Sequence, residues 1–184
     1  MKIERLSIPD VLLVTPLWHT DERGSFSETF RADLLAAHGV DVAFVQDNHV
    51  LSKSRGVVRG LHYQLAPRAQ GKLVRCSKGA ILDVAVDLRE ASPTYAKHVA
   101  IELSEANWQQ LWVPPGFAHG YVTLDDNCEV IYKTTDYYSP GHERGIVWDD
   151  PALQIDWRIP PTGATLSDKD RHLPRLNELA RRSS

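Results

Sequence analysis

The sequence is poor in cysteine: it has two, Cys76 and Cys128, and no Cys-x-x-Cys pair. Two thiols so far apart in the chain indicate neither a disulfide framework nor a thiolate zinc site. Both lie in stretches typical of β-strands, where a free cysteine usually behaves as a small buried apolar side chain. We therefore expect the fold to be held by apolar contacts rather than by cross-links.

The chain also lacks the charge and hydropathy features of several functional classes. Its formal net charge is −3, which provides no basic field for nucleic acid, so the arginines are expected to act singly at defined sites. No apolar run approaches the ~20 residues of a membrane span. The N-terminus has no charged segment followed by a long apolar run. We expect a cytoplasmic protein with no membrane or nucleic-acid partner.

A third absence concerns histidine spacing. Metal-holding β-barrels often use a His-x-His pair, a later glutamate and a further histidine. None of the eight histidines has another histidine two positions later, and Gln64 occupies that position after His62. His119 alone would supply one late ligand, so the ligand count argues against a metal site.

The chain does contain short apolar stretches separated by Gly, Pro and Asn turns. Its 184 residues are expected to form one domain, residues 1–184. Short strands at regular spacing favour a sandwich or barrel. Helices are predicted over Phe30–His38, with Gly39 as its stop, and Leu176–Arg182, with a charged turn at Ser167–Asp170. Strands are predicted at Val11–Val14, Ser25–Phe30, Phe44–Asn48, Lys72–Cys76, Ala80–Leu88, Val99–Leu103, Gln110–Val113, Gly120–Leu124 and Glu129–Thr134.

The segment Arg59–Gln64 carries an unusual density of polar groups directly after the apolar pair Val57-Val58. Such a strand is better suited to a cavity wall than to a core. His62 is the central candidate, because an imidazole can take up a proton near neutral pH and a carboxylate partner would fix its tautomer. The alternative is a core histidine bonded to a backbone carbonyl. On a regular strand Arg59 and His62 face opposite ways, so both reach one ligand only if Gly60 permits a bend or bulge.

Three further side chains suit the same chemistry. The turn Pro114–Gly120 delivers His119 to a strand start, Tyr132 can donate a proton, and Lys72 can stabilise an oxyanion. A base and a donor on opposite faces of a carbon are what inversion of a stereocentre requires. The alternatives are a surface histidine, a half-buried tyrosine and a solvated lysine.

Taken in order, these stretches resemble the dTDP-4-dehydrorhamnose 3,5-epimerase family over nearly the whole chain. The resemblance implies an all-β fold, a cupin-type double-stranded β-helix (a jelly-roll barrel) with a few short helices. It also implies a homodimer that needs no metal and no cofactor, with a dTDP-4-keto-6-deoxy sugar as substrate. The matching stretches are Asp21–Gly24, Phe44–Asn48, Arg59–Gln64, Gln70–Arg75, Asp83–Asp87, Pro115–Gly120, Tyr132-Lys133, Tyr137-Tyr138 and Lys169-Asp170.

The resemblance also implies residue roles. His62 would be the base that removes protons at C3 and C5, and Asp170 its carboxylate partner. Lys72 would stabilise the enolate, and Tyr132 would return a proton to the opposite face. The remaining matches are sugar, diphosphate and nucleotide contacts: Arg59, His119, Arg23, Phe26, Glu28, Gln46, Asp47, Asn48, Tyr138, Glu143 and Lys169.

Other functions stay open at this point. A single-position epimerase acting at C3 or C5 would use the same acid and base. A non-catalytic module that binds sugar nucleotides would need the arginines but not the acid–base set. A metal-dependent oxygenase or isomerase of the same fold is a further alternative. A partner subunit would complete the binding site if a strand is exchanged in the dimer.

Overall fold

The structure, a computed structural model, describes residues 1–159 and 163–179. Within them most of the regular structure is β, with three short helices. The strands are β1 Lys2–Arg5, β2 Leu12–Thr15, β3 Trp18–Asp21, β4 Gly24–Ser27, β5 Gln46–Ser52, β6 Val58–Gln64, β7 Lys72–Lys78, β8 Ala80–Asp87, β9 His98–Ser104, β10 Gln110–Val113, β11 Phe117–Thr123, β12 Cys128–Thr134 and β13 Glu143–Gly145. The helices are α1 Ala32–Ala37, α2 Asp168–Arg171 and α3 Leu176–Leu179. No helix among the described residues is long and apolar enough to cross a membrane.

Two antiparallel sheets form the body of the molecule. The larger has the strand order β1-β2-β10-β7-β12-β5 and the smaller has the order β13-β6-β11-β8-β9, while β3 and β4 form a separate hairpin. Apolar side chains from both sheets pack in one cluster, which includes Val74 and Leu111 from the first and Ile81, Ala85 and Phe117 from the second. This two-sheet arrangement confirms the predicted all-β, jelly-roll class.

The C-terminal segment covers the outer face of the smaller sheet. Trp148 and Trp157 are buried there with their ring centroids 5.6 Å apart, and the Trp157 indole N–H donates to the carbonyl of Trp148 at 2.8 Å. Thr165 then pairs with the start of β6, since the Val58 N–H donates to its carbonyl at 2.9 Å. Because β8 is thus covered on both faces, it carries a long apolar run instead of an alternating pattern. The same packing brings α2 to the end of β6.

A bulge interrupts β6 at Gly60. On β11 His119 pairs with His62 and Tyr121 pairs with Arg59, so three steps along β6 match two steps along β11. Gly60 has φ +120°, and a Cβ there would lie 2.6 Å from the Cα of Gly120 on β11. The extra residue turns Arg59 and His62 to the same face. The bulge at Gly60 that would allow Arg59 and His62 to reach one ligand is therefore present.

Several element boundaries differ from the predictions. Strand β4 ends at Ser27, so the prediction that Glu28 and Phe30 continue one strand face is wrong; Arg31 instead pairs with Glu28 near the start of α1. The predicted charged turn is one turn of helix, because the Ser167 hydroxyl accepts the Asp170 N–H and caps α2. Helix α3 covers Leu176–Leu179, and residues 180–182 of its predicted range lie outside the described residues.

Candidate active site

A cavity of about 650 Å³ opens between the two sheets. The smaller sheet contributes Arg59, His62 and His119 to its wall, and the larger sheet contributes Lys72 and Tyr132. A neighbouring cavity of about 250 Å³ shares His62, Lys72 and Tyr132, so these three side chains stand where the two spaces meet. Asp170 also lines the larger cavity. All four residues predicted to carry chemistry, His62, Lys72, Tyr132 and Asp170, are therefore brought together there.

His62 and Asp170 form a direct hydrogen bond. His62 Nε2 lies 2.7 Å from Asp170 Oδ1, and the two side chains are 26% and 5% exposed. Burial alone would raise the pKa of the Asp170 carboxyl, but the hydrogen bond and charge of His62, with donors at the Gly60 N–H and Ser167, hold that pKa below its ordinary value. Asp170 is therefore ionised at neutral pH, and it can fix the His62 tautomer and stabilise an imidazolium.

Lys72 lies beside this pair. Its Nζ donates to the backbone carbonyl of His62 at 3.3 Å. Burial lowers the pKa of Lys72 to about 8, against the opposing effect of the carboxylates of Asp83 and Glu143. A largely protonated ammonium in a cavity wall is well placed to stabilise negative charge that develops on a ligand oxygen.

Tyr132 faces His62 from the other sheet. On β12 it pairs with Asn48 of β5 and Val74 of β7. Burial raises the pKa of the Tyr132 phenol, and the charge of Arg59 partly offsets this effect. The phenol is therefore protonated at neutral pH, as a proton donor must be at the start of a reaction. A base and an acid thus approach one space from opposite sheets.

His119 has a carboxylate partner of its own. Its Nε2 lies 2.8 Å from Asp83 Oδ1, and the two side chains are 8% and 0% exposed. Sequence reasoning missed Asp83 as a site residue, because it stands inside the apolar strand Ala80–Leu88. The available signal was the pair of carboxylates, Asp83 and Asp87, in a strand that is otherwise apolar.

The Arg59 guanidinium is held at one end. Its Nε donates to the hydroxyl of Ser52 at 3.3 Å, and Ser52 is buried. The terminal nitrogens remain as a fork of the kind that binds phosphate oxygens. Ser52 is the last residue of β5, and its role became visible only from the strand pairing.

Five other predicted contacts lie at the two cavities, four of them at the smaller one. The Tyr138 hydroxyl donates to Glu143 Oε2 at 2.7 Å, and Lys169 Nζ lies 2.5 Å from the same oxygen. Gln46 donates to Asn48 at 2.9 Å and accepts the Tyr138 N–H at 3.0 Å. Gln46, Asn48, Tyr138 and Glu143 line this cavity, and Lys169 lines the larger one.

The other four predicted nucleotide contacts do not line either cavity. Arg23 and Phe26 project from the β3–β4 hairpin, where the Arg23 side chain is 85% exposed and Phe26 is 68% exposed. Glu28 follows this hairpin. Asp47 faces outward from β5 and pairs with Lys133. Their contacts with a ligand stay predictions.

The described side chains form no metal-binding cluster. Across residues 1–159 and 163–179, no group of three or more His, Cys, Asp or Glu side chains could hold a metal ion. His62 and His119, the two histidines of the cavity wall, each bond to a separate aspartate. That the reaction needs neither metal nor cofactor stays a prediction.

Comparison with known proteins gives matches over nearly the whole chain. The model of the dTDP-4-dehydrorhamnose 3,5-epimerase family matches residues 5–178. A dTDP-4-dehydrorhamnose 3,5-epimerase of Sinorhizobium fredii is 52% identical over 179 residues, which cover 97% of this chain and 91% of the relative.

Solved structures agree with the sequence comparison. The enzyme of the same name from Bacillus anthracis, with TDP and PPi bound, has a TM-score of 0.91 and 44% identity, and the match covers 95% of this chain and 99% of that one. A dTDP-6-deoxy-D-glucose-3,5-epimerase from Legionella pneumophila, in complex with dTDP-4-keto-L-rhamnose, has a TM-score of 0.91 and 42% identity, with coverages of 96% and 93%.

Proposed function

The chain belongs to the dTDP-4-dehydrorhamnose 3,5-epimerase family, and we propose that His62, Lys72, Tyr132 and Asp170 are the residues that perform its isomerase reaction. The substrate is dTDP-4-dehydro-6-deoxy-glucose, and inversion at C3 and C5 gives dTDP-4-dehydro-L-rhamnose for dTDP-rhamnose biosynthesis in the cytoplasm. The observation that carries the proposal is the His62–Asp170 pair at 2.7 Å, which faces Tyr132 across the cavity.

The first step breaks a C–H bond next to the C4 ketone. His62 takes the proton, and the electron pair of that bond moves into the ring so that the C4 oxygen becomes an enolate. Asp170 stabilises the resulting imidazolium through its charge and hydrogen bond. Lys72 stabilises the enolate oxygen, which lowers the barrier because the interaction is strongest when the negative charge has developed.

The second step restores the ketone with inverted configuration. The C4 carbonyl forms again as the carbon takes a proton from Tyr132 on the face opposite to His62. His62 is left as an imidazolium and Tyr132 as a phenolate, so proton exchange with solvent must restore both before the next carbon reacts. The same pair therefore serves C3 and C5 in two successive rounds.

Binding of the nucleotide diphosphate needs groups beyond the catalytic four. We propose that Arg59 and His119 contact the diphosphate and sugar, and that Gln46, Asn48, Tyr138, Glu143 and Lys169 contact the nucleotide side. Arg23 and Phe26 of the hairpin, Glu28 directly after it, and the outward-facing Asp47 are the remaining proposed nucleotide contacts, and we propose that they act in a homodimer. Support for the homodimer comes from the exposed apolar side chains Leu17, Trp18 and Phe26, which are 64%, 50% and 68% exposed.

Proton exchange in D₂O tests the reaction directly. The protein is incubated with dTDP-4-keto-6-deoxyglucose, and NMR follows deuterium at C3 and C5. Exchange at both carbons supports the double epimerase. Exchange at one carbon supports a single-position epimerase, and binding without exchange supports a non-catalytic module. The His62→Ala variant should abolish exchange, whereas the matched control His49→Ala, on an outward position of β5 that is 58% exposed, should not.

The role of Tyr132 is tested by comparing exchange with inversion. In Tyr132→Phe, proton removal by His62 continues while correct proton return fails, so net inversion should fall far more than exchange. An equal loss of both would contradict the donor role. Gel filtration of the purified chain, and of Phe26→Asp, tests whether the hairpin supports a dimer.

A further inference from the structure

Asp83 is a buried carboxylate with one oxygen unpaired. It is 0% exposed on β8, and its Oδ1 bonds to His119 while its Oδ2 has no partner among residues 1–159 and 163–179. Asp87, four residues further along the same strand, is equally buried but receives donors from Arg89, Ser92 and Thr94. A buried charge that is only half satisfied costs stability, so a purely structural role does not account for Asp83.

The contact with His119 fixes which ring nitrogen a ligand can use. Because Nε2 is held by Asp83, Nδ1 is the nitrogen that remains for a substrate oxygen. His119 pairs with His62 across β6 and β11, so its ring borders the space where the base acts. An unanchored imidazole would be free to rotate or to change tautomer there.

Asp83 also acts on Lys72 through its charge. Of the charges that raise the pKa of Lys72 against the effect of burial, Asp83 contributes most, ahead of Glu143. The other titratable or charged side chains that line the larger cavity with Lys72 are Lys53 after β5, Arg59 and His62 on β6, His119 and Tyr121 on β11, Tyr132 on β12, and Lys169 and Asp170 on α2. The carboxylates of Asp83 and Glu143 are the charges that offset the desolvation of the ammonium.

We propose that Asp83 is a positioning residue of the epimerisation: its carboxylate orients His119 toward the substrate and supplies the negative charge that keeps Lys72 protonated. The inference rests on the proposed function, since both groups act on the same sugar. Asp83 itself touches neither the substrate nor the reacting atoms.

The test is the pH dependence of kcat and kcat/KM in Asp83→Asn, with Asp87→Asn as the matched buried control on the same strand. In Asp83→Asn, kcat at pH 8 should fall about 10- to 100-fold, because His119 loses a hydrogen bond to a charged partner. The alkaline limb of kcat/KM should move about one pH unit lower, because Lys72 loses its proton earlier. Part of the activity should return at pH 6.5. Asp87→Asn should lose stability and keep the wild-type limb.

Asp83→Ser serves as a second variant, since the smaller side chain leaves room for water, and it should show the same shift. If the alkaline limb of kcat/KM stayed at the wild-type pH in either folded variant, the inference would be overturned. Loss of the native circular dichroism spectrum in both variants would mark Asp83 as structural and would overturn it as well. A wild-type protein that exchanges no deuterium refutes the proposed function instead, so the two failures are distinguishable.

Discussion

Replacement of Asp170 by asparagine isolates the contribution of one charge to proton removal. The amide keeps the shape of the side chain but cannot stabilise an imidazolium as a carboxylate does. The Asp170 side chain is 5% exposed, so solvent does not screen its 2.7 Å contact with His62. A hydrogen bond to a charged group contributes about 1.5–3 kcal/mol, and about 1.4 kcal/mol corresponds to a tenfold rate change. We therefore expect kcat to fall about 10- to 150-fold in Asp170→Asn.

The assay is the initial rate of deuterium incorporation at C3 and C5 in D₂O at pH 7.5, measured at saturating substrate. Asp168→Asn is the matched control, because Asp168 is exposed on the same helix and lines a different cavity. It should exchange at the wild-type rate. If Asp170→Asn lost less than about threefold, or if the control lost as much, the carboxylate would not act through His62.

Three further predictions concern charge and backbone geometry. Because burial lowers the pKa of Lys72 to about 8, kcat/KM should fall tenfold per pH unit above that value, and Lys72→Gln should lose both the limb and most of the activity. In Gly60→Ala the new Cβ would lie 2.6 Å from the backbone of β11, at a residue whose φ is +120°. The free energy of unfolding measured in urea should therefore fall by about 2–4 kcal/mol. The control Gly141→Ala, where nothing lies within 4 Å of the new Cβ, should leave it nearly unchanged. Although burial would raise the pKa of Asp87, its hydrogen bonds hold that pKa well below its ordinary value. The ionised carboxylate therefore stabilises the fold at neutral pH, and this stabilisation is lost as pH falls below about 4. Asp87→Asn should be less stable than the wild type at pH 7, and its stability should depend less on pH between about pH 4 and 2.

The apolar strands were predictable because the same apolar side chains that favour strand formation are the ones that the core buries. Gln110–Val113 was predicted with the bounds that the structure has, and Glu129–Thr134 lacks only the first residue of β12. By contrast β13, with the sequence Glu-Arg-Gly, has no apolar signal. It forms a strand because it pairs with β6, from Glu143 opposite Gln64 to Gly145 opposite His62. Such pairing depends on the packing of distant segments and cannot be inferred from the three residues themselves.

In the candidate site, too, residues with a recognisable side chain or motif were predictable, whereas features that depend on tertiary pairing were not. His62, Lys72 and Tyr132 were identified from their residue types and from the family motifs, and the structure gathers them on one cavity. The bulge was predicted only as a condition, because register between β6 and β11 is a tertiary property. Asp83 escaped notice because a carboxylate inside an apolar strand has meaning only once its partner is known. Burial and pairing, rather than residue type, revealed it.

The distance along the chain between base and partner has a consequence for biosynthesis. His62 and Asp170 are separated by 108 residues, and α2 follows every strand of both sheets. At about 5–20 residues per second, a ribosome needs about 5–20 s to pass from one to the other. During that interval the nascent chain already contains the histidine but not the carboxylate that bonds to it. If His62 and Asp170 act as proposed, catalytic competence therefore arises only after α2 has been synthesised and has docked against β6.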